Sequence, residues 1–376
     1  MTCGCGKRLS FRCVTPKHVL STIGGVRVAR RYYACRGCRQ TRTPWDEWAG
    51  LGDALAVTPH ARKVITTVSC AWSFDRASAK LKEICHIHVS DDTIERVCQH
   101  EGEQARRWLR GNPQTVQAFA QAPGEAEFYS DGLKVNTTEG WREMRLNLLQ
   151  KRARAAPAAP GQWKDRVLPD ASVRLASCCI ADSRLTGAMW ERWSERMGLT
   201  HSSELSVIAD GAPWIWEQAR QRLSPRASWC VDVYHVSEDL HRCAKAMLGE
   251  GEAARSWADG ELDELIRVGG PKYLRRLDAQ IQATAAAAAA EPTRREALRG
   301  LRVYLKGNED RMWYAQRLRD GQAIGSGAIE GACKKIGARL KLNSARWRPR
   351  RAERFGALLC LDYADQAKSY WRSKAA

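Results

Sequence analysis

The sequence has no stretch of about 18 uncharged apolar residues, so no transmembrane helix is expected. Residues 1–12 are polar, rich in Cys and Gly, and lack the apolar run of a secretory signal. The expected location is therefore the cytoplasm. Acidic residues are the scarcer charge: 42 Asp and Glu stand against 61 Lys and Arg, for a net charge of +19. Such an excess favours a polyanionic partner, because neutralised phosphates release counterions. The basic residues are spread over the chain rather than gathered on one amphipathic helix, which argues against a membrane surface. No internal repeat is found.

What is present suits a globular protein of two or three domains, with 376 residues and 44% hydrophobic content. Fourteen cysteines are present. Inside a cell they stay reduced, so metal ligation is the reading to test. Cys70, Cys85, Cys98, Cys178, Cys179, Cys230 and Cys360 lie in apolar surroundings and read as small core residues. Cys35-x-x-Cys38 is different, since this spacing lets two thiolates reach one tetrahedral ion. Cys3 and Cys5 could supply the other two ligands, with Cys13 in reserve, although Cys3-x-Cys5 is one residue shorter than usual. A module of ~50 residues buries little core, so a Zn²⁺ staple makes physical sense. Reduced cysteines without metal are the alternative.

Two extended runs, residues 18–23 and 26–33, flank Gly24-Gly25 and predict a β-hairpin. Residues 1–50 thus form a zinc-ribbon-like β module, ending in a linker at 44–50. Residues 51–120 read as a helical, helix-turn-helix DNA-binding domain. Thr58-Pro59 opens one helix, Ser73-Phe74-Asp75 a second, and Ser90 caps a third after a break at His86-Ile87-His88. The last two fit a helix-turn-helix that would place Asp91, Thr93, Glu95 and Arg96 near a DNA groove. Ordinary helix packing explains the pair taken alone; the cysteine module and the basic charge add to the case for DNA.

From Glu125 the pattern becomes strands, at 128–135, 142–150, 173–180, 205–209 and 228–233, with helices at 190–197 and 214–223. This predicts an α/β core. Residues 236–320 read as all-helical, including the alanine tract at 285–290. Gly325-Ser326-Gly327 then introduces a helix running to about Leu342. The catalytic domain is accordingly placed at 121–376, with a helical insertion at about 240–320.

Three acids stand out: Asp131 within or just after a strand, Asp210 at the end of an apolar strand, and Glu330 one turn into the helix after Gly327. Each alone has an ordinary explanation: a turn, a helix cap, or a first-turn acid paired with Lys334. Together they form the cluster that phosphodiester chemistry needs, with carboxylates holding two Mg²⁺ (or Mn²⁺) ions. On the last helix Ile329, Cys333, Ile336 and Leu340 make an apolar stripe. Glu330, Lys334, Gly337 and Lys341 make the adjacent one, which would set Lys334 and Lys341 beside the acid. Arg339, Arg346, Arg348, Arg350 and Arg351 extend the basic surface. Asp232 and His235 form a further pair, explained either by a metal site or by a helix cap with a hydrogen-bonded His.

The series Tyr129-Ser130-Asp131-Gly132, Ile208-Ala209-Asp210-Gly211-Ala212, Asp232-Val233-Tyr234-His235 and Ile324-Gly325-Ser326-Gly327-Ala328-Ile329-Glu330 resembles the motifs of DDE transposases of bacterial insertion sequences, the ISKra-type group in particular. Arg31-Tyr32-Tyr33-Ala34-Cys35-Arg36-Gly37-Cys38 and Trp141-Arg142-Glu143 also fit. The resemblance covers nearly the whole chain and rests on the order and spacing of its motifs. It implies a ribonuclease-H-like core with a helical insertion, Asp131, Asp210 and Glu330 as the catalytic triad, and Asp232 and His235 as an accessory Asp-x-x-His element. It also implies recognition of terminal inverted repeats in double-stranded DNA, cleavage by water, strand transfer by the freed 3′ hydroxyl, and a homo-oligomer that pairs two ends. The start departs from the pattern, with Cys3-Gly4-Cys5 where relatives carry Cys-x-x-Cys and more residues before it. A non-catalytic DNA-binding regulator or an inactive transposase is the rival expectation, and a nuclease that only hydrolyses is the third. A glycosidase is poorly motivated by the charge.

Overall fold

The computed structural model describes residues 1–51, 55–286 and 292–374, with side chains of 284–286 set aside; most of the alanine tract therefore lies outside the described residues. The chain divides into two units. Met1–Trp108, Asn136–Gly140 and Ala338–Ala376 form the first, and Leu109–Val135 with Trp141–Gly337 the second.

In the first unit, β1 (Leu9–Ser21) and β2 (Gly24–Cys35) pair antiparallel from Leu9↔Cys35 to Ser21↔Gly24, and β3 (Thr41–Arg42) adds to β2. The turn falls at Thr22-Ile23, one step before the glycine pair. Gly24 adopts φ +99°, a conformation open to a residue without Cβ, and already pairs with Ser21. Ser21 Oγ donates to the Gly24 carbonyl at 2.8 Å and accepts from Ile23 N at 3.3 Å. The expected linker after Thr43 is instead a short helix, α1 (Pro44–Trp48). Proline suits the first helical position, where its missing N–H has no partner to lose. Asp46 then holds α1 against the hairpin, receiving Lys17 Nζ at 3.1 Å and the Arg30 guanidinium.

The helices α2 (Pro59–Ala71), α3 (Phe74–Cys85) and α4 (Asp91–Leu109) follow. They begin where the cap residues predict: Thr58 Oγ1 accepts from Ala61 N, Ser73 Oγ from Arg76 N and Ser90 Oγ from Thr93 N. His86 ends α3 by turning left-handed, at φ 54°. Beneath them lies a buried charge network. Glu101 is fully buried and accepts from Arg62 Nη1 at 2.9 Å, from the Tyr370 hydroxyl at 2.6 Å and from Lys374 Nζ. Removing one partner of a buried pair strands the other charge. Glu101→Ala should therefore lower unfolding free energy by about 3–5 kcal/mol, measured by denaturant melts against wild type, and a loss under about 1 kcal/mol would refute the account.

The second unit opens with α5 (Pro113–Gln121) and then β4 (Glu125–Thr137), β5 (Gly140–Arg152) and β6 (Ala171–Cys179); the tip of the β4–β5 hairpin, Asn136–Gly140, counts with the first unit. After α6 (Ser183–Arg196) come β7 (Leu205–Ala209), α7 (Pro213–Arg222) and β8 (Ser228–Val231). They form one mixed five-stranded sheet in the order β6-β5-β4-β7-β8, so the protein is α/β. β5 and β6 are antiparallel, while β4–β7 and β7–β8 are parallel. Every residue of β7 is buried, as a strand covered on both faces requires, and α7 supplies the crossover that a parallel neighbour needs. From β8 the chain runs through α8 (Val233–Leu248), α9 (Glu252–Val268), α10 (Gly270–Ala286), α11 (Pro292–Lys306) and α12 (Tyr314–Arg319), with no strand among the described residues of this stretch. α13 (Gly327–Leu340) follows; α14 (Pro349–Tyr363) and α15 (Ala367–Ser373) belong to the first unit. Among the described residues, no helix is long and apolar enough to cross a membrane.

Candidate functional site

The register of the parallel strands aligns three acids. Ser130 pairs with Ala209, and Ala209 pairs with Val231. Asp131, Asp210 and Asp232 each come one residue later, so they lie level on three neighbouring strand paths, with strands about 4.8 Å apart. β7 and β8 have just ended, which puts Asp210 and Asp232 at the carboxyl edge of the sheet, where open α/β sheets bind ligands.

The helix α13 spans this row. Just before it, Ser326 donates from N to Asp232 Oδ1 at 3.0 Å and from Oγ to Asp232 Oδ2 at 2.8 Å. Two turns on, Cys333 Sγ donates to Asp131 Oδ2 at 3.3 Å. Glu330 is four residues after Ser326 and three before Cys333, hence on the same helical face. Its Oε1 is 3.5 Å from Ser326 Oγ. The row of acids and the helical acid are thus brought to one place in the second unit. Their oxygens are not drawn into a group all within 4.8 Å, a closeness that among the described residues four cysteines reach.

Asp232 is fully buried and both its oxygens are engaged. Oδ1 accepts from Ser326 N and, at 3.2 Å, from Tyr234 N as the cap of α8; Oδ2 accepts from Ser326 Oγ and contacts His235 Nδ1 at 2.7 Å. Of the two explanations for this pair, the structure displays the cap and the hydrogen-bonded His. Asp232 orients His235 on one side and the start of α13, hence Glu330, on the other.

Electrostatics follow from this crowding. Burial pushes the Asp210 carboxyl up; the Ala212 N–H and His235 oppose this, while Asp131 and Asp232 add to it. His235 moves to about 9, chiefly through its hydrogen bond to Asp232, against burial and with help from the charge of Asp210. A proton held that tightly stabilises the fold below pH 6.5, and the contribution is lost as pH rises to about 9. With no divalent cation present, thermal melts should show stability falling over that window, and His235→Gln should flatten the decline. An unchanged alkaline limb in the variant would refute the assignment.

Ser326, Cys333 and Tyr304 join the site beyond the residues expected from the sequence. Ser326 lies in the Gly-Ser-Gly turn and Cys333 one turn after Glu330, so both carried a positional signal. Tyr304 carried none. It comes from α11 and packs over Gly211, where an added Cβ would sit 2.3 Å from the Tyr304 ring. Ser326→Ala should reduce any cation-dependent activity by about 10- to 100-fold, the usual effect of losing a group that orients a ligand. Fold stability should drop far less, and equal activity in the variant would show that Ser326 positions nothing. Lys334 is 82% exposed in its side chain, with Nζ 3.8 Å from Glu330 Oε2, and Lys341 is exposed just beyond α13.

The first unit holds a second constellation. Cys3 and Cys5 precede β1, Cys35 ends β2, and Cys38 follows it. Their Sγ atoms all lie within 4.8 Å of one another, with Cys3–Cys38 at 3.4 Å and Cys5–Cys35 at 3.5 Å. Four thiolates around a tetrahedral ion at about 2.3 Å have neighbouring sulfurs about 3.8 Å apart, so the group could hold a metal ion such as zinc. The short Cys3-x-Cys5 spacing works because a tight turn returns the chain: Cys3 N donates to Lys7 O at 2.8 Å and Gly6 N to Cys3 O at 2.9 Å. The Cys38 and Gly37 N–H groups lower Cys35 to about 6, while at Cys38, against the Gln40 N–H, the neighbouring thiols Cys3, Cys5 and Cys35 raise the thiol to about 12, so without a metal one thiolate of the pair is favoured. Cys13, held in reserve, lies exposed in β1 and is not in the group. Of the cysteines expected in the core, Cys98, Cys178, Cys179, Cys230 and Cys360 are buried; Cys70 and Cys85 are half-buried.

No protein-family model matches the sequence, and no curated protein matches it.

Proposed function

We propose that this chain is a DDE transposase of a bacterial insertion sequence, of the ISKra type, which binds terminal inverted repeats, cleaves DNA at the element ends and joins the freed 3′ hydroxyl to target DNA. The observation that carries this reading is the level row of Asp131 and Asp210 on adjacent parallel strands, with α13 presenting Glu330 across it. The motif series that resembles these transposases falls on that row and that helix.

Asp131, Asp210 and Glu330 would hold Mg²⁺ or Mn²⁺. A set made only of carboxylate oxygens suits hard cations. The burial and mutual repulsion that raise Asp210 are relieved by a bound cation. When bound, such ions neutralise charge on a phosphodiester undergoing displacement. In the proposed enzyme the protein's part is positional: Asp232 and Ser326 fix the start of α13, so that Glu330 stays opposite the sheet edge. The surrounding core is read as ribonuclease-H-like, with α8–α12 as its helical insertion. In the first unit, the cysteine module and the α3–α4 pair are read as a zinc ribbon and a helix-turn-helix that recognise element ends. There Glu95 pairs with Arg351 at 2.6 Å, while Arg96 is exposed. The net charge of +19 fits a DNA partner in the cytoplasm, and pairing of two ends calls for a homo-oligomer.

The test is an assay on the element's own end DNA with Mg²⁺ or Mn²⁺. Nicks at the element boundary and joined products support the proposal. Cutting without joining makes the protein a nuclease, and binding without cutting makes it a DNA-binding protein of another kind.

A further inference from the structure

A cavity of about 280 Å³ in the second unit is lined by three arginines and one acid. Arg152, Trp163, Arg166 and Arg174 line it, together with Tyr234 and the turn at Gly325 and Gly327. Arg166 donates from Nη1 to the Gln322 carbonyl at 2.7 Å, but its Nε and Nη2 are buried and have no partner. Trp163 Nε1 is likewise buried without a partner. A buried donor left unmatched is costly, and a ligand or a water is its ordinary partner; among the described residues Arg166 is the arginine with two such nitrogens, Nε and Nη2.

The charges around the cavity do not cancel. Arg152 spends itself on Glu127, reaching Oε2 at 2.5 Å, and on the Tyr129 hydroxyl at 3.1 Å. Among the described residues Arg317 has neutral acceptors alone, namely the Ala323 carbonyl, Ser228 Oγ and Ser206 Oγ. Burial lowers the Arg166 guanidinium, and Arg152 and Arg317 lower it further, with Glu127 opposing. Arg174 donates from Nε to Gln150 Oε1 at 3.4 Å. The exposed Asp170 also lines the cavity and forms no ion pair with Arg166. An anion with acceptor oxygens would match both the open donors and the charge of Arg166. Nε and Nη2 are the two nitrogens of one edge of the guanidinium fork, the edge that fits two oxygens of a phosphate.

We propose that this cavity is a phosphate-binding site in which the Nε–Nη2 edge of Arg166 grips a phosphate group and Trp163 Nε1 supplies a further donor. The phosphate is either a backbone phosphodiester of a nucleic acid or that of a free phosphate compound. The site borders Tyr234 and the turn that contains Ser326, so a strand reaching the acids would bring neighbouring phosphates near it. It stands without the catalytic reading.

Thermal melts of the whole chain test it, with no divalent cation added and with ionic strength matched by chloride. Inorganic phosphate at about ten times its dissociation constant should raise the wild-type melting temperature on the order of 3 °C. Arg166→Met should show no rise, and should melt as high as wild type or higher in chloride, because it removes a half-buried cation that has no ion partner among the described residues. Arg166→Lys, which keeps the charge but not the fork, should show a smaller rise than wild type. If a short single-stranded oligonucleotide suppresses the phosphate response, the site takes backbone phosphates; if it does not, the site takes free phosphate compounds. No rise in wild type, or an equal rise in Arg166→Met, overturns the proposal. Cleavage is not read, so loss of the transposase reading and loss of this one are separate outcomes.

Discussion

Asp210→Asn is expected to abolish the proposed cation-dependent cleavage, a fall of at least about 10³-fold, while the proposed DNA binding stays within about twofold. The argument is one of charge at nearly constant shape. Asp210 occupies the middle of the level row, with Asp131 on one flanking strand path and Asp232 on the other. Asparagine preserves the oxygen that accepts from Ala212 N at 2.9 Å but removes the negative charge a cation needs. The same change should make the cation-free protein more stable. Because burial and two like charges hold the Asp210 carboxyl above its usual range, the charged form works against folding at neutral pH. A variant that is both dead and more heat-resistant is hard to explain by damage to the fold. Glu330→Gln should lose activity in the same way. Full activity in either variant would remove the carboxylates from the chemistry. A dead Asp210→Asn that also melts early would show that the residue holds the fold instead.

The other large effect is expected at the cysteines. Cys35→Ser should abolish zinc binding by the cysteine group and unfold the segment around β1–β3, because binding free energy at a four-thiolate zinc site, about 10–16 kcal/mol, is in effect folding free energy. Little else holds that end of the hairpin: the buried apolar cluster beside it consists of Cys3, Leu9 and Cys35, with Tyr33 packed against them. Zinc content and hydrogen exchange over residues 1–43 are the measurements. Exchange should rise there, as it should in wild type treated with a chelator, with residues 141–337 unaffected. A variant that keeps its metal, or loses it with no change in exchange, would show that the cysteines are not a structural metal site.

Much of this protein is written locally. The cap residues Thr58, Ser73 and Ser90 determined where three helices begin, because a side-chain oxygen two or three residues from a free N–H decides that without help from the rest of the fold. The buried run at β7 and the placement of Asp210 at its end were equally plain, since period and burial are properties of a short window. The cysteine group was visible as four residues flanking a hairpin, though which sulfurs meet was not.

Other features depend on distant residues. The turn at Thr22-Ile23 followed from strand register, and α1 survives at five residues with Asp46 bound to Lys17 and Arg30, two cations from elsewhere in the chain. For Asp232 the sequence favours a cap over a metal ligand, but that Ser326, 94 residues away, donates to both its oxygens is visible only in the fold. Tyr304 over Gly211, and the bare edge of Arg166, leave no trace in any local pattern. Sequence alone determined which acids exist and what element each sits on. Only the tertiary structure decided that parallel register sets three of them level and that α13 lies across them, because register and packing are fixed by burying whole faces together rather than by any one segment.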